Sequence, residues 1–325
     1  MDASSLRIVF MGTPEFSVAS LAAMLEAGLN VVGVVTVADK PAGRGQKLAV
    51  SPVKRFALEK GLKVLQPEKL KSADFLQELD DLKPDLQVVV AFRMLPEVVW
   101  NRPPLGTFNL HGSLLPQYRG AAPINWCIIN GENTTGVTTF FLQQEIDTGA
   151  IILREILPVG AHETAGELHD RMKDVGAQLV VKTVLAIANG NAHTSNQEQF
   201  LEIGTELRPA PKLNRENTRI DWSQPTKNIH DLIRGLSPYP AAHTSLHIDD
   251  STPDIDCKIY KSVPFITGKC EKLPGSIETD LRSFVHVHTS DGYLEITDLQ
   301  LAGKQRMPLK ALLNGFKFPI GARFH

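Results

Sequence analysis

The sequence predicts a two-domain protein in which an α/β domain with a mainly parallel sheet precedes a smaller all-β barrel. Three observations lead to this fold class. Strand-like apolar runs alternate with helical segments up to residue 188, residues 189–211 are polar and carry Pro209 and Pro211, and short alternating runs broken by glycine and proline fill the remainder. We therefore expect domains at 1–188 and 212–325, joined by a linker at 189–211.

The N-terminal half has the pattern of repeated strand–helix units. Residues 6–11 form an apolar run, which Gly12 and Thr13 follow as a turn and a helix N-cap, with Pro14 at the first helical position. The same alternation predicts strands at 31–37, 62–65, 86–92, 106–110, 137–142 and 150–156, and helices that begin at Ser51 and span 73–82. This pattern is typical of a parallel sheet covered by helices.

A long helix and a barrel complete the predicted fold. Thr164 and Glu167 have the spacing of a capping box. The apolar stripe that follows consists of Leu168, Met172, Val175, Leu179 and Val184. Beyond the linker, the sequence predicts a short amphipathic helix at 229–236 and strands at 258–263, 284–288 and 293–299.

Composition excludes several classes of protein and site. Cys127, Cys257 and Cys270 are widely spaced and lack a Cys-x-x-Cys pair, so neither a disulfide framework nor a zinc site is predicted. No two of His162, His169, His193, His230 and His243 have a His-x-x-x-His spacing, and no apolar stretch approaches the roughly 18 residues of a membrane span. We expect a soluble, cytoplasmic protein that needs no metal. A slight basic excess after Pro209 hints at a nucleic-acid partner but does not establish one.

Two polar residues close the strand predicted at 106–110. Asn109 and His111 are two positions apart, so their side chains point to the same face of an extended chain. Ligands bind at the carboxyl ends of strands in open α/β sheets. An amide and an imidazole that converge there suit a carbonyl that becomes tetrahedral, because fixed donors stabilise the developing oxyanion. The alternative is a purely structural histidine, and spacing alone leaves both interpretations open.

Asp147 lies between two predicted strands, in the run Glu145-Ile-Asp-Thr-Gly149. A carboxylate near His111 would orient the imidazole and favour its charged form. The Asp-Thr-Gly triplet also occurs in aspartic proteases, but those need two such aspartates and this chain has a single triplet. A protease is therefore not predicted.

Two glycine-containing loops allow further interpretations. The loop at Gly12 lacks the second and third glycines of the G-x-G-x-x-G motif, so a tight turn is preferred to dinucleotide binding. Residues 40–47 are basic, glycine-rich and without an apolar pattern, which predicts an exposed loop rather than a helix or strand. Lys40, Arg44 and Lys47 are either solvated there or bind phosphate groups.

Several motifs together resemble the active-site motifs of the folate-dependent formyltransferases. They are Asn109, His111-Gly-Ser-Leu-Leu-Pro116, Arg119-Gly-Ala-Ala-Pro123 and Asp147-Thr-Gly149, and the spacing from His111 to Asp147 agrees as well. The segment 39–48 and the motifs Lys212-Leu213, Ile220-Asp-Trp222, Ile233-Arg-Gly-Leu236 and Pro238-Tyr-Pro240 are similar to the branch of this family that acts on tRNA. The resemblance spans nearly the whole chain.

The resemblance implies a Rossmann-like formyltransferase domain followed by a barrel similar to an OB-fold. It also implies transfer of a formyl group from 10-formyltetrahydrofolate, as a substrate, to the α-amine of methionine on initiator tRNA. The residues that it implies are Asn109, His111 and Asp147 for catalysis, Ser113, Leu114, Leu115 and Pro116 for folate binding, and Lys40, Arg44 and Lys47 for tRNA binding.

Two departures from the family pattern and two alternative functions stay open. Phe92 and Arg93 stand where a Tyr-Gly pair is usual, and Glu145 replaces a common glycine, so the resemblance does not define the details of the pterin pocket. A sister formyltransferase that acts on a small amine is the nearest alternative, against which the 40–47 segment and the second domain argue. A catalytically silent RNA-binding protein on the same scaffold would leave the three catalytic candidates unexplained. We expect a monomer.

Overall fold

The computed structural model describes residues 3–42, 47–201, 204–268 and 271–325. Contacts divide the chain into two compact units, neither of which is one continuous segment. The first unit consists of Met1–Pro123, Thr134–Pro158 and His169–Pro209, and the second of Ile124–Asn133, Val159–Leu168 and Ala210–His325. Each unit therefore combines segments that are far apart in the sequence.

One mainly parallel sheet organises the first unit. Its strands in chain order are β1 (Ile8–Gly12), β2 (Val31–Val35), β3 (Lys40–Ala42), β4 (Lys47–Ala49), β5 (Val64–Leu65), β6 (Leu86–Val90), β7 (Thr107–His111), β8 (Thr134–Phe141) and β9 (Ile151–Pro158). Seven of them form a sheet in the order β5-β2-β1-β6-β7-β8-β9. The first five of that order are parallel, and β8 and β9 extend it with antiparallel pairing. The predicted α/β class is confirmed.

The strand order reverses beside β1. The chain passes outward from β1 to β2 and β5, and then returns so that β6 pairs with the other side of β1. The carboxyl ends of β1, β6 and β7 therefore lie at one edge of the sheet, next to the point of reversal where ligands bind in open α/β sheets. Because β7 ends at His111, it presents Asn109 and His111 at this edge.

Two of the predicted helix starts are confirmed by their capping bonds. The first six helices are α1 (Glu15–Glu26), α2 (Pro52–Glu59), α3 (Ala73–Asp81), α4 (Glu97–Trp100), α5 (Pro123–Ile129) and α6 (Ala165–Ala188). Ser51 caps α2 by accepting a bond from Lys54 N at 3.1 Å. Thr164 N donates to the Glu167 carboxylate at 2.8 Å and Glu167 N donates to Thr164 Oγ1 at 3.3 Å, which is the predicted capping box of α6.

Two local predictions are wrong. The N-cap of α1 is Pro14 rather than Thr13, since α1 begins at Glu15 and no side chain caps it. The segment predicted to be only a loop contains the antiparallel pair β3–β4. Residues 43–46 between these strands, Arg44 among them, lie outside the described part of the chain. Strands of three residues are too short to show an apolar alternation, so the sequence pattern does not reveal them.

The polar segment after α6 has more structure than a connection requires. It contains a 3₁₀ helix at Gln197–Phe200 and belongs to the first unit as far as Pro209. Ser195 forms an antiparallel bridge with Ile151 of β9. The segment is therefore fixed to the sheet that carries the candidate catalytic residues.

The second unit contains an antiparallel, nearly closed barrel. Its remaining elements are α7 (Thr226–Leu236), β10 (Ala242–His247), β11 (Ile255–Ile266), β12 (Ile277–Thr279), β13 (Val285–His288), β14 (Gly292–Leu301), β15 (Met307–Pro308), α8 (Leu309–Leu313) and β16 (Arg323–Phe324). The strand order is β12-β13-β14-β11-β10-β16, with β15 paired to β14. A bridge between Ser276, just before β12, and Arg323 links the two ends of this order. The predicted barrel is confirmed.

Closure of the barrel depends on Gly275. This residue has φ +84°, and a Cβ atom on it would lie 2.1 Å from the carbonyl oxygen of Phe324. Phe324 N also donates to the Gly275 carbonyl at 2.8 Å. Only glycine therefore lets β16 approach the start of β12.

A buried polar network holds α7 to the segment 159–168. Arg234 Nε donates to Asp231 Oδ1 at 2.7 Å, and the Arg234 guanidinium also donates to the carbonyls of Gly160 and Glu163. Burial lowers the pKa of the adjacent His230 to about 4, so its ring is neutral at neutral pH. The Ile-Arg-Gly-Leu motif that the sequence displays is therefore part of the second unit's internal packing.

In the described part of the chain, no helix has the length and apolar character to cross a membrane.

Candidate active site

Strand β7 holds Asn109 and His111 at the ligand-binding edge of the sheet. It pairs with β6 on one side and with β8 on the other, so both of its edges are hydrogen-bonded. The two side chains share one face of the strand, as predicted. Asn109 is half-buried, and its amide makes no hydrogen bond to another described residue, which leaves it available to a ligand.

His111 is anchored by the loop that follows β7. Its side chain is 6% exposed, and Nε2 lies 2.8 Å from the carbonyl oxygen of Tyr118. A carbonyl oxygen only accepts, so Nε2 carries a hydrogen and donates it. Nδ1 faces Asp147. Because Nε2 is occupied, Nδ1 donates to a substrate only when the ring is doubly protonated.

Asp147 approaches this ring from the loop between β8 and β9. Its Oδ2 lies 4.0 Å from His111 Nδ1 and accepts a hydrogen bond from Gly120 N at 3.0 Å. The distance of 4.0 Å exceeds a normal hydrogen bond, but two opposite charges attract at that range in a poorly solvated site.

The backbone at Asp147 has an uncommon conformation. Its φ of +54° lies in the left-handed region, which residues other than glycine seldom adopt and which often occurs at functional positions. Two residues later, a Cβ on Gly149 would lie 1.6 Å from the carbonyl oxygen of Phe141. The loop therefore needs glycine there to return to the sheet.

The structure brings His111 and Asp147 together and places Asn109 on the same strand, as the sequence predicts. Their catalytic roles stay a prediction.

Among the residues that the structure describes, no three His, Cys, Asp or Glu side chains are grouped so that they could hold a metal ion.

The four residues predicted to bind folate form a tightly packed loop. The hydroxyl of Ser113 donates to Gln117 O at 2.6 Å, and Leu115 is fully buried with its N–H bonded to Thr138 Oγ1. Pro116 is also buried, whereas Leu114 is half-buried. A ligand at this loop would meet its backbone and Leu114 rather than the hydroxyl of Ser113.

Two of the three basic residues predicted to bind tRNA, Lys40 and Lys47, belong to the β3–β4 ladder. Lys40 is exposed and pairs with Ala49, and Lys47 pairs with Ala42. Arg44 lies outside the described residues. Phosphate binding by these three residues stays a prediction.

The departures from the family pattern have clear structural positions. The Arg93 guanidinium donates to the carbonyls of Pro67 and Glu68, so its charge is held by the loop after β5. Phe92 packs against the apolar core of the first unit. Glu145 is exposed, and its carbonyl accepts a bond from Thr148 Oγ1 at 3.0 Å. None of these side chains bonds to His111 or Asp147 within the described part of the chain.

Sequence reasoning missed Gln197. This residue is 1% exposed and bonds to Arg119 and to the Asp147 loop. It lies in a polar segment without periodicity or a motif, so no pattern in the sequence points to it.

A cavity of about 540 Å³ opens within the second unit. Arg215, Lys258 and Asp256 supply its charged groups, and His243 and Cys257 are its other titratable residues. Burial lowers the pKa of His243. Arg215 lies 3.5 Å from Asp256, so one of the two basic residues is partly neutralised. The cavity shares no residue with the group of Asn109, His111 and Asp147.

Comparison with protein families gives two matches along the chain. The formyl transferase family matches residues 6–184, and the formyl transferase C-terminal domain family matches residues 212–317. The methionyl-tRNA formyltransferase of Parabacteroides distasonis is 54% identical over 325 residues, which cover 98% of each chain. The protein of the same name from Bacteroides thetaiotaomicron is 50% identical over 326 residues, and the match covers the whole of both chains.

Solved structures share the fold at low identity. The sugar 3N-formyl transferase WlaRD, in the presence of dTDP and 5-N-formyl-THF, has a TM-score of 0.62 and 22% identity, and the match covers 92% of this chain and 99% of that one. HypX from Aquifex aeolicus, in complex with tetrahydrofolic acid, has a TM-score of 0.62 and 20% identity, with 95% of this chain and 47% of that chain covered. At these identities the likeness establishes the fold.

Proposed function

The chain belongs to the formyltransferase family and formylates methionyl initiator tRNA, and we propose that 10-formyltetrahydrofolate is the donor and that Asn109, His111 and Asp147 form the reaction centre. One observation carries this proposal. The His111–Asp147 pair lies at the carboxyl end of β7, beside an Asn109 amide that no described residue occupies. A sister enzyme for small amines is not favoured, because curated relatives that are 52% to 54% identical over 97% to 98% of this chain are methionyl-tRNA formyltransferases.

The first step of the proposed reaction is attack by the methionyl amine. The α-amine of an aminoacyl ester is less basic than lysine, so part of it is unprotonated near neutral pH. Its nitrogen bonds to the formyl carbon while the carbonyl electrons move to oxygen. Asn109 Nδ2–H and His111 Nδ1–H donate to that oxygen, and such donors are worth about 2.7 to 4 kcal/mol each.

The second step moves one proton. The attacking nitrogen becomes positively charged and releases a proton to Asp147, directly or through water. Asp147 then gives that proton to the folate nitrogen as the bond from this nitrogen to the formyl carbon breaks. The carboxylate returns to its charged state beside the His111 imidazolium, so atoms and charges balance.

The two family matches support the proposed division of labour. Residues 1–188 would carry catalysis, with the 113–116 loop against the folate, and residues 212–325 would bind tRNA. Lys40, Arg44 and Lys47 would contact phosphates near the acceptor end. We also propose a monomer that acts in the cytoplasm, where translation is initiated.

The cavity of the second unit is a candidate contact for tRNA phosphates. Barrels of this type often bind oligonucleotides, and Arg215 and Lys258 place two cations at one opening. Each phosphate that a cation neutralises releases counterions, which makes binding depend on salt. The second unit therefore contributes affinity for tRNA rather than chemistry.

The variant Arg215→Glu/Lys258→Glu should raise the KM for charged initiator tRNA about tenfold or more at moderate salt. The slope of log KM against log salt should shrink by about 1 to 2, because up to two phosphate contacts are lost. The KM for the folate donor should not change. Steady-state formylation across a salt series measures all three quantities.

Lys310→Glu is the matched control for each single reversal, Arg215→Glu or Lys258→Glu, since Lys310 is exposed on α8 and does not line the cavity. Deletion from Pro209 onward is a poorer test. It would remove most of the second unit and leave segments 124–133 and 159–168 without the residues on which they pack. If the cavity variant has the same tRNA KM and salt slope as the control, the cavity has no part in tRNA binding.

A further inference from the structure

We propose that Gln197 is a positioning residue for formyl transfer, which holds the Asp147 loop and the His111 loop in register. The inference rests on the proposed role of Asp147. Gln197 opens the 3₁₀ helix after α6, and its side chain is buried within the first unit.

Both ends of the Gln197 amide are bonded. Its Nε2 donates to the carbonyls of Asp147 at 2.8 Å and Gly149 at 2.9 Å. Its Oε1 accepts from Arg119 Nε at 3.1 Å and from Nη2 at 2.6 Å. These four bonds use both N–H groups and both acceptor positions, so the amide is fixed in one orientation.

The donor end acts on the backbone that aims Asp147. The carbonyl of Asp147 belongs to the peptide plane that sets ψ of this residue, and φ is already in the left-handed region. Without a partner for the two carbonyls, the loop loses the bonds that oppose relaxation of this strained conformation. The Asp147 carboxylate would then move relative to His111 Nδ1.

The acceptor end acts on the loop that holds His111. Arg119 lies between Tyr118, whose carbonyl accepts from His111 Nε2, and Gly120, whose N–H donates to Asp147 Oδ2. Gln197 therefore bonds to the backbone of Asp147 itself and to Arg119, whose two neighbours bond to His111 and Asp147. Since a misplacement of about 1 Å in a reacting geometry can cost about a hundredfold in rate, this link affects turnover.

The segment that contains Gln197 is attached without it. Ser195 forms a backbone bridge with Ile151. In the loop that follows β7, Tyr118 N donates to the Arg208 carbonyl, and Arg208 N donates to Gln117 Oε1. The bonds of Gln197 are thus not required to keep the segment in place. They reach specifically to the Asp147 loop and to Arg119.

Two substitutions at this position separate positioning from folding. Gln197→Met keeps the length of the side chain and removes all four bonds. Gln197→Glu keeps an acceptor for Arg119, with an added ionic attraction, but sets a carboxylate oxygen against the carbonyls of Asp147 and Gly149. Gln199→Met is the matched control, because Gln199 is exposed on the same 3₁₀ helix.

We expect both Gln197 variants to lower kcat about 10- to 100-fold and to leave the KM values for folate donor and tRNA within about threefold. Gln197→Glu should keep the wild-type melting temperature within a few degrees, and Gln199→Met should match wild type throughout. In an Asp147→Asn background, Gln197→Met should lower kcat less than about threefold, because the group that it positions is already disabled.

Wild-type kcat in Gln197→Glu or Gln197→Met, with Asp147→Asn slow, would overturn the positioning role alone. A full additional loss in the Asp147→Asn background would also overturn it, since Gln197 would then act through something else. If Asp147→Asn itself turns over normally, the proposed role of Asp147 fails, and the inference fails with it.

Discussion

His111→Ala should lower kcat for formylation of methionyl initiator tRNA by about 10²- to 10³-fold. The substitution removes the proposed Nδ1 donor to the oxyanion and with it the ring that faces Asp147 across 4.0 Å. Binding should change little, because the donor acts on charge that develops only in the transition state. A single-turnover assay at saturating folate donor and charged tRNA measures the step directly.

The control for His111→Ala is His193→Ala, since His193 is exposed and lies outside the site. The melting temperatures of both variants should be recorded, because His111 is buried and its Nε2 holds the Tyr118 carbonyl. Turnover of folded His111→Ala within threefold of wild type would remove His111 from the chemistry and restore the structural interpretation of a buried histidine.

Asp147→Asn should lower kcat by about 10²- to 10⁴-fold, the range typical of a lost general acid–base group. Asparagine has nearly the same shape and can still accept the bond from Gly120 N, so the loop should keep its conformation. It cannot take the proton of the amine, nor can it stabilise an imidazolium at His111. Single-turnover formylation, with donor affinity measured separately, distinguishes loss of chemistry from loss of binding.

Asp170→Asn provides the same change of charge at an exposed position of α6. It should behave as wild type in every measurement. If Asp147→Asn is as active as this control, proton transfer does not pass through Asp147, and solvent would have to carry it.

The sheet and the position of the site follow from local patterns. The apolar runs that become β1, β6 and β7 are short and are separated by helical segments, and this is sufficient to predict parallel strands with their carboxyl ends together. Asn109 and His111 then share a face because the side chains of a strand alternate. The sequence predicts Asp147 from its place between two strands and from the family resemblance.

Contacts between distant segments account for what the sequence does not predict. Gln197 bonds to Arg119 across 78 positions and to Asp147 across 50, and neither spacing leaves a periodic signal. In the sequence, segment 124–133 precedes β8 and segment 159–168 follows β9, yet both belong to the second unit. The β3–β4 ladder is short and basic, so its pattern resembles that of a solvated loop.

The double variant His111→Ala/Asp147→Asn tests most directly whether the two residues form one reaction centre. In the single-turnover assay with methionyl initiator tRNA, we expect the double variant to be less than about tenfold slower than the slower single variant, because each change already disables the pair. Independent contributions would multiply, so losses of about 10² each would give about 10⁴. A loss equal to that product would contradict a joint reaction centre.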